Sequence, residues 1–235
     1  MNSRLTARDR LIVALDTPSV DEARLIVKRL EGSVTFYKIG LELAMKGGID
    51  LAQELIAAGS RVFLDMKFLD IENTVERAVA SLAGCGISFL TVHGMDSKTL
   101  RAAAKGASAS DLKILAVTVL TNLSESDLAE QGIKSDCIAE LVIHRARLAQ
   151  RAGCHGIVCS GHEAAAVRAA TSPDFLIVTP GIRLDDDKVG DQVRVATPQT
   201  ASRNGASYIV VGRPITQSED IKAAAEKFLE IIARN

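Results

Sequence analysis

A closed barrel of eight parallel strands wrapped by helices, the (β/α)8 or TIM barrel, is the fold class this sequence predicts. Three observations carry that expectation. Short, β-rich runs of nearly continuous apolar residues recur along the chain, as strands buried on both faces require. Ala/Leu/Glu-rich stretches with helical spacing lie between them. No linker, low-complexity tract or shift in composition divides the 235 residues. Eight such units without a break suit a single barrel domain over 1–235. An open doubly wound sheet is the alternative, but no GxGxxG motif follows the first apolar run.

The strands are read in order as "LIVAL" (11–15), "TFYKI" (35–39), "VFLDM" (62–66) and "SFLTV" (88–92). They continue as "ILAVTVL" (114–120), "GIVCS" (156–160), "FLIVTP" (175–180) and "YIVVG" (208–212). Helical patterns follow, among them "SVDEARLIVKRL", "DLAQELIAAG", "IENTVERAVASLAG" and "IKAAAEKFLEIIAR". The first opens on Ser19 as a cap with Asp21 and Glu22 in its first turn, and several end at Gly, as helix C-termini prefer.

Composition narrows the function classes. A hydrophobic fraction of 47% is ample for a core, and a formal charge of −1 offers no broad attraction to nucleic acid or an anionic membrane. Phosphate binding would have to be local. Cys85, Cys137, Cys154 and Cys159 lack close-paired metal spacing and read as buried, reduced thiols. The polar start "MNSRLTARDR" and the short run after it do not make a signal peptide, and no segment approaches a membrane span. A soluble, cytoplasmic protein is expected.

In a barrel of this kind the active site lies where strands end and helices begin. Charge collects at those ends. The first strand finishes in Asp16, the second carries Lys38, and the third carries Asp65 and Lys67 with Asp70 close behind. Alternation puts Asp65 and Lys67 on one face, beside Lys38 of the neighbouring strand. A lone Asp-x-Lys at a strand end is most often a solvated ion pair; Asp16, Lys38 and Asp70 around it make this one a candidate site. His93 reads as a hydrogen-bonded strand-end histidine, His144, His155 and His162 as surface residues, and Asp185-Asp186-Asp187 as a solvated loop. At the other end of the chain, "TPGIR" and "VGRPI" put Gly181 and Gly212 after the last two strands, where barrels commonly hold phosphate. Glycine lets backbone N–H groups approach an anion, and Arg213 adds bidentate charge.

With those residues in hand, the chain resembles the orotidine 5'-phosphate decarboxylase family. "LDMKFLDIENT" matches the family's Asp-x-Lys-x-x-Asp-Ile-x-x-Thr signature at Asp65, Lys67, Asp70, Ile71 and Thr74. "VALD", "YKIG", "TPGIR", "DQVRVATP" and "IVVGRPI" match its other segments in order, so the resemblance spans nearly the whole chain. Leu69 and Glu72 depart from the commonest form of the signature, at positions without a catalytic group. The resemblance implies a catalytic network of Lys38, Asp65, Lys67 and Asp70. It implies that Asp16 and Lys38 bind the ribose, that Thr121 and the backbone around Pro180 contact the pyrimidine, and that Gln192 bridges base and phosphate. Gly212 and Arg213 would hold the phosphate, Arg183 would be a further binding residue, and "RLDDDKVGDQ" (183–192) would close over it. A homodimer is implied, with Asp70, Ile71 and Thr74 reaching into the partner's site.

The chemistry so implied is loss of CO2 from C6 of orotidine 5'-phosphate to give UMP. The C6 carbanion has no obvious electron sink, so preorganised charge must stabilise it. Lys67, between carboxylates that favour an ammonium, would do so and then supply the proton that replaces CO2. Asp65 would also crowd the departing carboxylate. No cofactor and no metal are expected, nor a nucleic-acid or membrane partner. The rival reading is a Mg²⁺-dependent sugar-phosphate decarboxylase such as 3-keto-L-gulonate 6-phosphate decarboxylase, which shares the Asp-x-Lys-x-x-Asp core. Ile71, Thr74, "TPGIR" and "DQVR" favour the pyrimidine enzyme. A catalytically silent nucleotide-binding barrel would have no need of the buried charge.

Overall fold

The computed structural model describes residues 5–133, 137–184 and 195–234. All eight expected strands form, as β1 (Leu11–Ala14), β2 (Phe36–Gly40), β3 (Arg61–Phe68), β4 (Phe89–His93), β5 (Lys113–Val117), β6 (Gly156–Val158), β7 (Leu176–Thr179) and β8 (Tyr208–Val211). Each pairs in parallel with the next, and β8 pairs with β1 to close the barrel. The covering helices are α1 (Val20–Arg29), α2 (Ile49–Ala57), α3 (Glu72–Ala83), α4 (Ser97–Ala107), α5 (Ile138–Arg151), α6 (Ala164–Ala170), α7 (Pro198–Arg203) and α8 (Ile221–Ala233). A barrel has no sheet edge to expose, so every strand can be as apolar as these are.

Alternation along the strands divides the apolar residues into two cores. Leu11 and Val13, Tyr37 and Ile39, Val62 and Leu64 belong to the larger one, shared with the helices. Ile12 and Ala14, Phe36, Phe63, Phe89, Leu115, Val178, Tyr208 and Val210 fill the barrel itself. Phe89 meets Phe36 edge-on with centroids 5.1 Å apart and Tyr208 at 5.0 Å. Such pairs each contribute about 0.5–1.5 kcal/mol beyond the area they bury. The Arg61 guanidinium lies 4.2 Å from the Phe36 ring centroid and donates to the backbone carbonyl of Asp9 at 2.5 Å. This plug closes the N-terminal end of the barrel and leaves the C-terminal mouth for chemistry.

Caps set the helix starts. Ser19 accepts from the Glu22 N–H at 3.2 Å and opens α1, as its position in the sequence suggests. Asp96 accepts from the N–H groups of Lys98 and Thr99 at 2.9 and 2.8 Å and opens α4; a cap of this kind stabilises by about 1 kcal/mol. All eight strands end one to three residues from expectation, and two of these shifts shape the mouth. The fifth strand stops at Val117, not 120, because Thr118 turns its hydroxyl onto the Val158 carbonyl at 2.9 Å and the chain then leaves the sheet to line the mouth. The third runs on to Phe68 through an irregular register that holds Asp65 and Lys67.

Candidate active site

The inward-facing residues of β2 and β3 change character two positions above the aromatic plug. Phe36 is followed by Lys38, and Phe63 by Asp65. The Lys38 ammonium lies 2.8 Å from Asp16 Oδ1 and 3.6 Å from Asp65 Oδ2. The Lys67 ammonium reaches the same Asp65 oxygen at 2.9 Å. Lys38 is buried, Asp65 and Lys67 are partly so, and Asp16 stands at the rim with its side chain 58% exposed. Burial alone would raise the Asp65 carboxyl. The charges of Lys38 and Lys67, with hydrogen bonds from Lys67 and Thr91, outweigh that and hold it below the ordinary aspartate range.

Two backbone features make room for the cluster. A Cβ on Gly40 would lie 2.9 Å from Asp16 Oδ1 and 3.1 Å from Lys38 Nζ, so a side chain there would displace the tips of this ion pair. Lys67 has φ 52, the one positive φ outside glycine among the described residues. Strain of that sort costs about 1–3 kcal/mol and collects at functional sites.

Across the mouth, Pro180 and Gly181 follow β7, and Gly212 and Arg213 follow β8. Together with Asp16, Lys38, Asp65, Lys67, Thr121 and Arg183 they line one cavity of about 460 Å³. That volume suits a ligand of nucleotide size. The Thr121 loop is held from behind by Arg145, buried on α5, which donates to the Thr118 carbonyl at 2.5 Å. The chain on either side of residues 185–194 is pinned as well. Arg183 N–H donates to the Ala196 carbonyl at 3.0 Å and Ala196 N–H to the Gly181 carbonyl at 3.2 Å.

Asp70, Ile71 and Thr74 lie apart from this cavity. All three are exposed, and Asp70 Oδ1 accepts from the Ile71 N–H at 2.6 Å. Asp70 and Ile71 line a smaller cavity with Leu69, Glu72, Asp96, Lys98 and Thr99. Gln192 and Asp185-Asp186-Asp187 fall outside the described residues, as does all but the start of the expected closing loop.

His144 and His162 are at the surface, as expected. His155 is not. It is half-buried at the start of β6, where its Nδ1 accepts from the Ile114 N–H at 3.1 Å; burial first, then Lys113, pushes it below the usual histidine range. It directly precedes the apolar run of β6, between Cys154 and Gly156, and the β5–β6 pairing covers it. His93 is half-buried outside the cavity lining, lowered by burial and by Lys67 and Arg145. All four cysteines are free, but Cys85 and Cys137 are only half-buried. Among the described residues no group of three or more His, Cys, Asp or Glu side chains is arranged to hold a metal ion. Thr91 has no place among the sequence-based candidates, yet its hydroxyl contacts Asp65. Its signal was the alternation Phe89, Thr91, His93, which puts a polar residue on the inward face of β4.

Fold and mouth together define a (β/α)8-barrel enzyme. Comparison with known proteins then specifies which kind. The chain belongs to the orotidine 5'-phosphate decarboxylase / HUMPS family, whose model matches residues 9–228. A relative from Rhodopseudomonas palustris (strain BisA53), named orotidine 5'-phosphate decarboxylase, is 51% identical over 96% of this chain and 95% of its own. One of the same name from Methylobacterium sp. (strain 4-46) is 51% identical over 99% of both chains. Among solved structures, orotidine 5'-phosphate decarboxylase from Lactobacillus acidophilus superposes with a TM-score of 0.84 at 38% identity, covering 95% of this chain and 99% of that one.

Proposed function

We propose that this chain converts orotidine 5'-phosphate to UMP in the cytoplasm, as a step of de novo pyrimidine synthesis. The observation that carries the reading is the Asp65 carboxylate held between the ammoniums of Lys38 and Lys67, at 3.6 and 2.9 Å, on the wall of a nucleotide-sized cavity. Gly212 and Arg213 across the mouth take the phosphate, with Arg183 beside them. Asp16 and Lys38 take the ribose hydroxyls. Thr121 and the backbone at Pro180 face the pyrimidine, and Gln192 joins base to phosphate.

The bond from C6 to the carboxylate breaks, CO2 leaves, and the electron pair remains on C6. The Lys67 ammonium stabilises that pair and transfers its proton to C6, and solvent restores the proton to the amine. Fixed charge in a water-poor pocket needs no reorganisation as the carbanion forms, which is why it contributes so much. Binding energy at the distant phosphate is available to assemble the network.

The site is completed by a second copy, through Asp70, Ile71 and Thr74. What supports this is a set of exposed apolar side chains in the segments that follow three neighbouring strands. They are Leu41, Met45 and Ile49 after β2, Leu69 and Ile71 after β3, and Met95 after β4, with Met45 78% and Ile71 74% exposed. Clusters of that kind mark protein contacts.

The test is the fall in absorbance on incubating purified protein with orotidine 5'-phosphate, with and without EDTA. Turnover undiminished by chelator is the expected result. Activity lost to EDTA and restored by Mg²⁺ would move the assignment to the sugar-phosphate decarboxylases.

A further inference from the structure

We infer that Thr91 is a positioning residue, whose hydroxyl sets the Asp65 carboxylate and the Lys67 backbone relative to each other and so aims the Lys67 ammonium. The inference rests on the function proposed above.

Strands β3 and β4 fall out of step at this point. Leu64 pairs with Leu90, and the next pair is Phe68 with Val92, so Asp65, Met66 and Lys67 all lie opposite Thr91. An irregularity of this kind leaves backbone groups without their ladder partners. Lys67, at φ 52, is one of the residues displaced. Its N–H donates to Thr91 Oγ1 at 3.0 Å, and the Thr91 hydroxyl donates to Asp65 Oδ1 at 2.8 Å. The directions admit no exchange, because an amide N–H only donates and an ionised carboxylate only accepts. Asp65 Oδ2 then receives the Lys67 ammonium at 2.9 Å. The chain of contacts starts at the Lys67 backbone and returns to the Lys67 side chain.

Thr91 is 0% exposed, so water cannot replace its hydroxyl. Without it, the part-buried Lys67 N–H loses this partner, at a cost in desolvation. The hydroxyl is also aimed by construction, since a β-branched side chain on a strand has few χ1 choices. Thr91 is not part of the cavity lining and reaches substrate only through its neighbours.

Three variants test this. Thr91→Val keeps the shape and removes both hydrogen bonds, Thr91→Ser keeps the hydroxyl and removes the methyl, and Thr91→Ala replaces the Val chain should that not fold. In Thr91→Val, kcat for orotidine 5'-phosphate should fall roughly 10- to 100-fold, as supporting hydrogen bonds behind a site do, with UMP affinity held. Thr91→Ser should recover most of kcat. The Asp65 carboxyl, faced by Lys38 from β2, Lys67 from β3 and His93 from β4 with Asp16 beyond Lys38, should titrate higher in Thr91→Val. The acid limb of kcat should move to higher pH with it. Wild-type kcat in Thr91→Val, equal losses in the Val and Ser chains, or a loss confined to UMP binding would each overturn the inference. The Asp65 titration, followed by ¹³C NMR, stands apart from turnover. If wild-type protein leaves orotidine 5'-phosphate intact, the proposed reaction fails; an Asp65 titration unmoved by Thr91→Val overturns the positioning role even then.

Discussion

Asp65 sits where burial and charge pull in opposite directions, and the two ammoniums beside it decide the outcome. Such a carboxylate depends on both partners, and the proposed tasks of Lys67 beside it and of Arg213 across the mouth are separable. Lys67→Ala should lower kcat by roughly 10³-fold or more, the scale of a lost general acid and charge stabiliser, while UMP still binds. Arg213→Ala should instead weaken UMP by about 10- to 100-fold, as loss of a charge-assisted phosphate contact does, with uridine hardly affected. Steady-state kinetics and UMP titration separate the two patterns; substantial turnover in Lys67→Ala would remove it as proton donor. His155 makes a pH prediction of its own. Its folded value lies below that of the unfolded chain, so the native state resists the proton that the unfolded state accepts. The stability it contributes is present above about pH 6.5, the free histidine value, and is lost as pH falls below that. Urea unfolding from pH 7.5 down to 5.5 should show a steeper loss for wild type than for His155→Gln. Parallel curves would mean that His155 takes up its proton without penalty.

At the scale of elements, the strand ends matter more than the strands. The β2 terminus carries Lys38 and Gly40 two residues apart, and the missing side chain at Gly40 is what lets Asp16 and Lys38 meet above it. In Gly40→Ala the new methyl would press on two side-chain tips and on no backbone, so the fold should persist with nearly unchanged thermal stability. The ion pair should shift, and kcat/KM should fall about 10- to 100-fold, the effect of misplacing a binding group by about an ångström. A melting temperature that falls in step with activity would instead make Gly40 a packing residue. The β3 terminus does the converse, accepting an irregular register and a positive φ so that Asp65 and Lys67 both face the mouth.

For the whole molecule, the barrel places Asp70 outside its own cavity, which turns the shared-site proposal into a mixing experiment. Lys67→Ala and Asp70→Ala chains, each inactive alone, are combined under conditions that exchange subunits. A mixed dimer has one doubly damaged site and one intact site, because a two-fold interface uses the same patch twice. Random exchange at equal amounts yields half mixed dimers, so activity should return towards about a quarter of wild type. Proven exchange with no gain in activity would assign Asp70 to its own chain.

The order of eight βα units was legible in the sequence because buried parallel strands must be apolar along their length, and helices between them must be amphipathic. The collection of charge at strand ends likewise foretold that Asp16, Lys38, Asp65 and Lys67 would gather at one end, since that placement needs only strand direction and neighbour order. The common face of Asp65 and Lys67, expected from plain alternation, is reached instead through the irregular register of β3. What only the tertiary structure decided depends on register and cover. The slip between β3 and β4 brings the Thr91 hydroxyl to Lys67 N and Asp65, and no local pattern encodes it. The burial of His155 comes from the pairing of β5 with β6, and the hold of Arg145 on the Thr118 carbonyl from a helix packed behind the loop. Those contacts join residues dozens of positions apart. They are settled by which atoms the closed barrel brings within reach, after the chain has already chosen its strands.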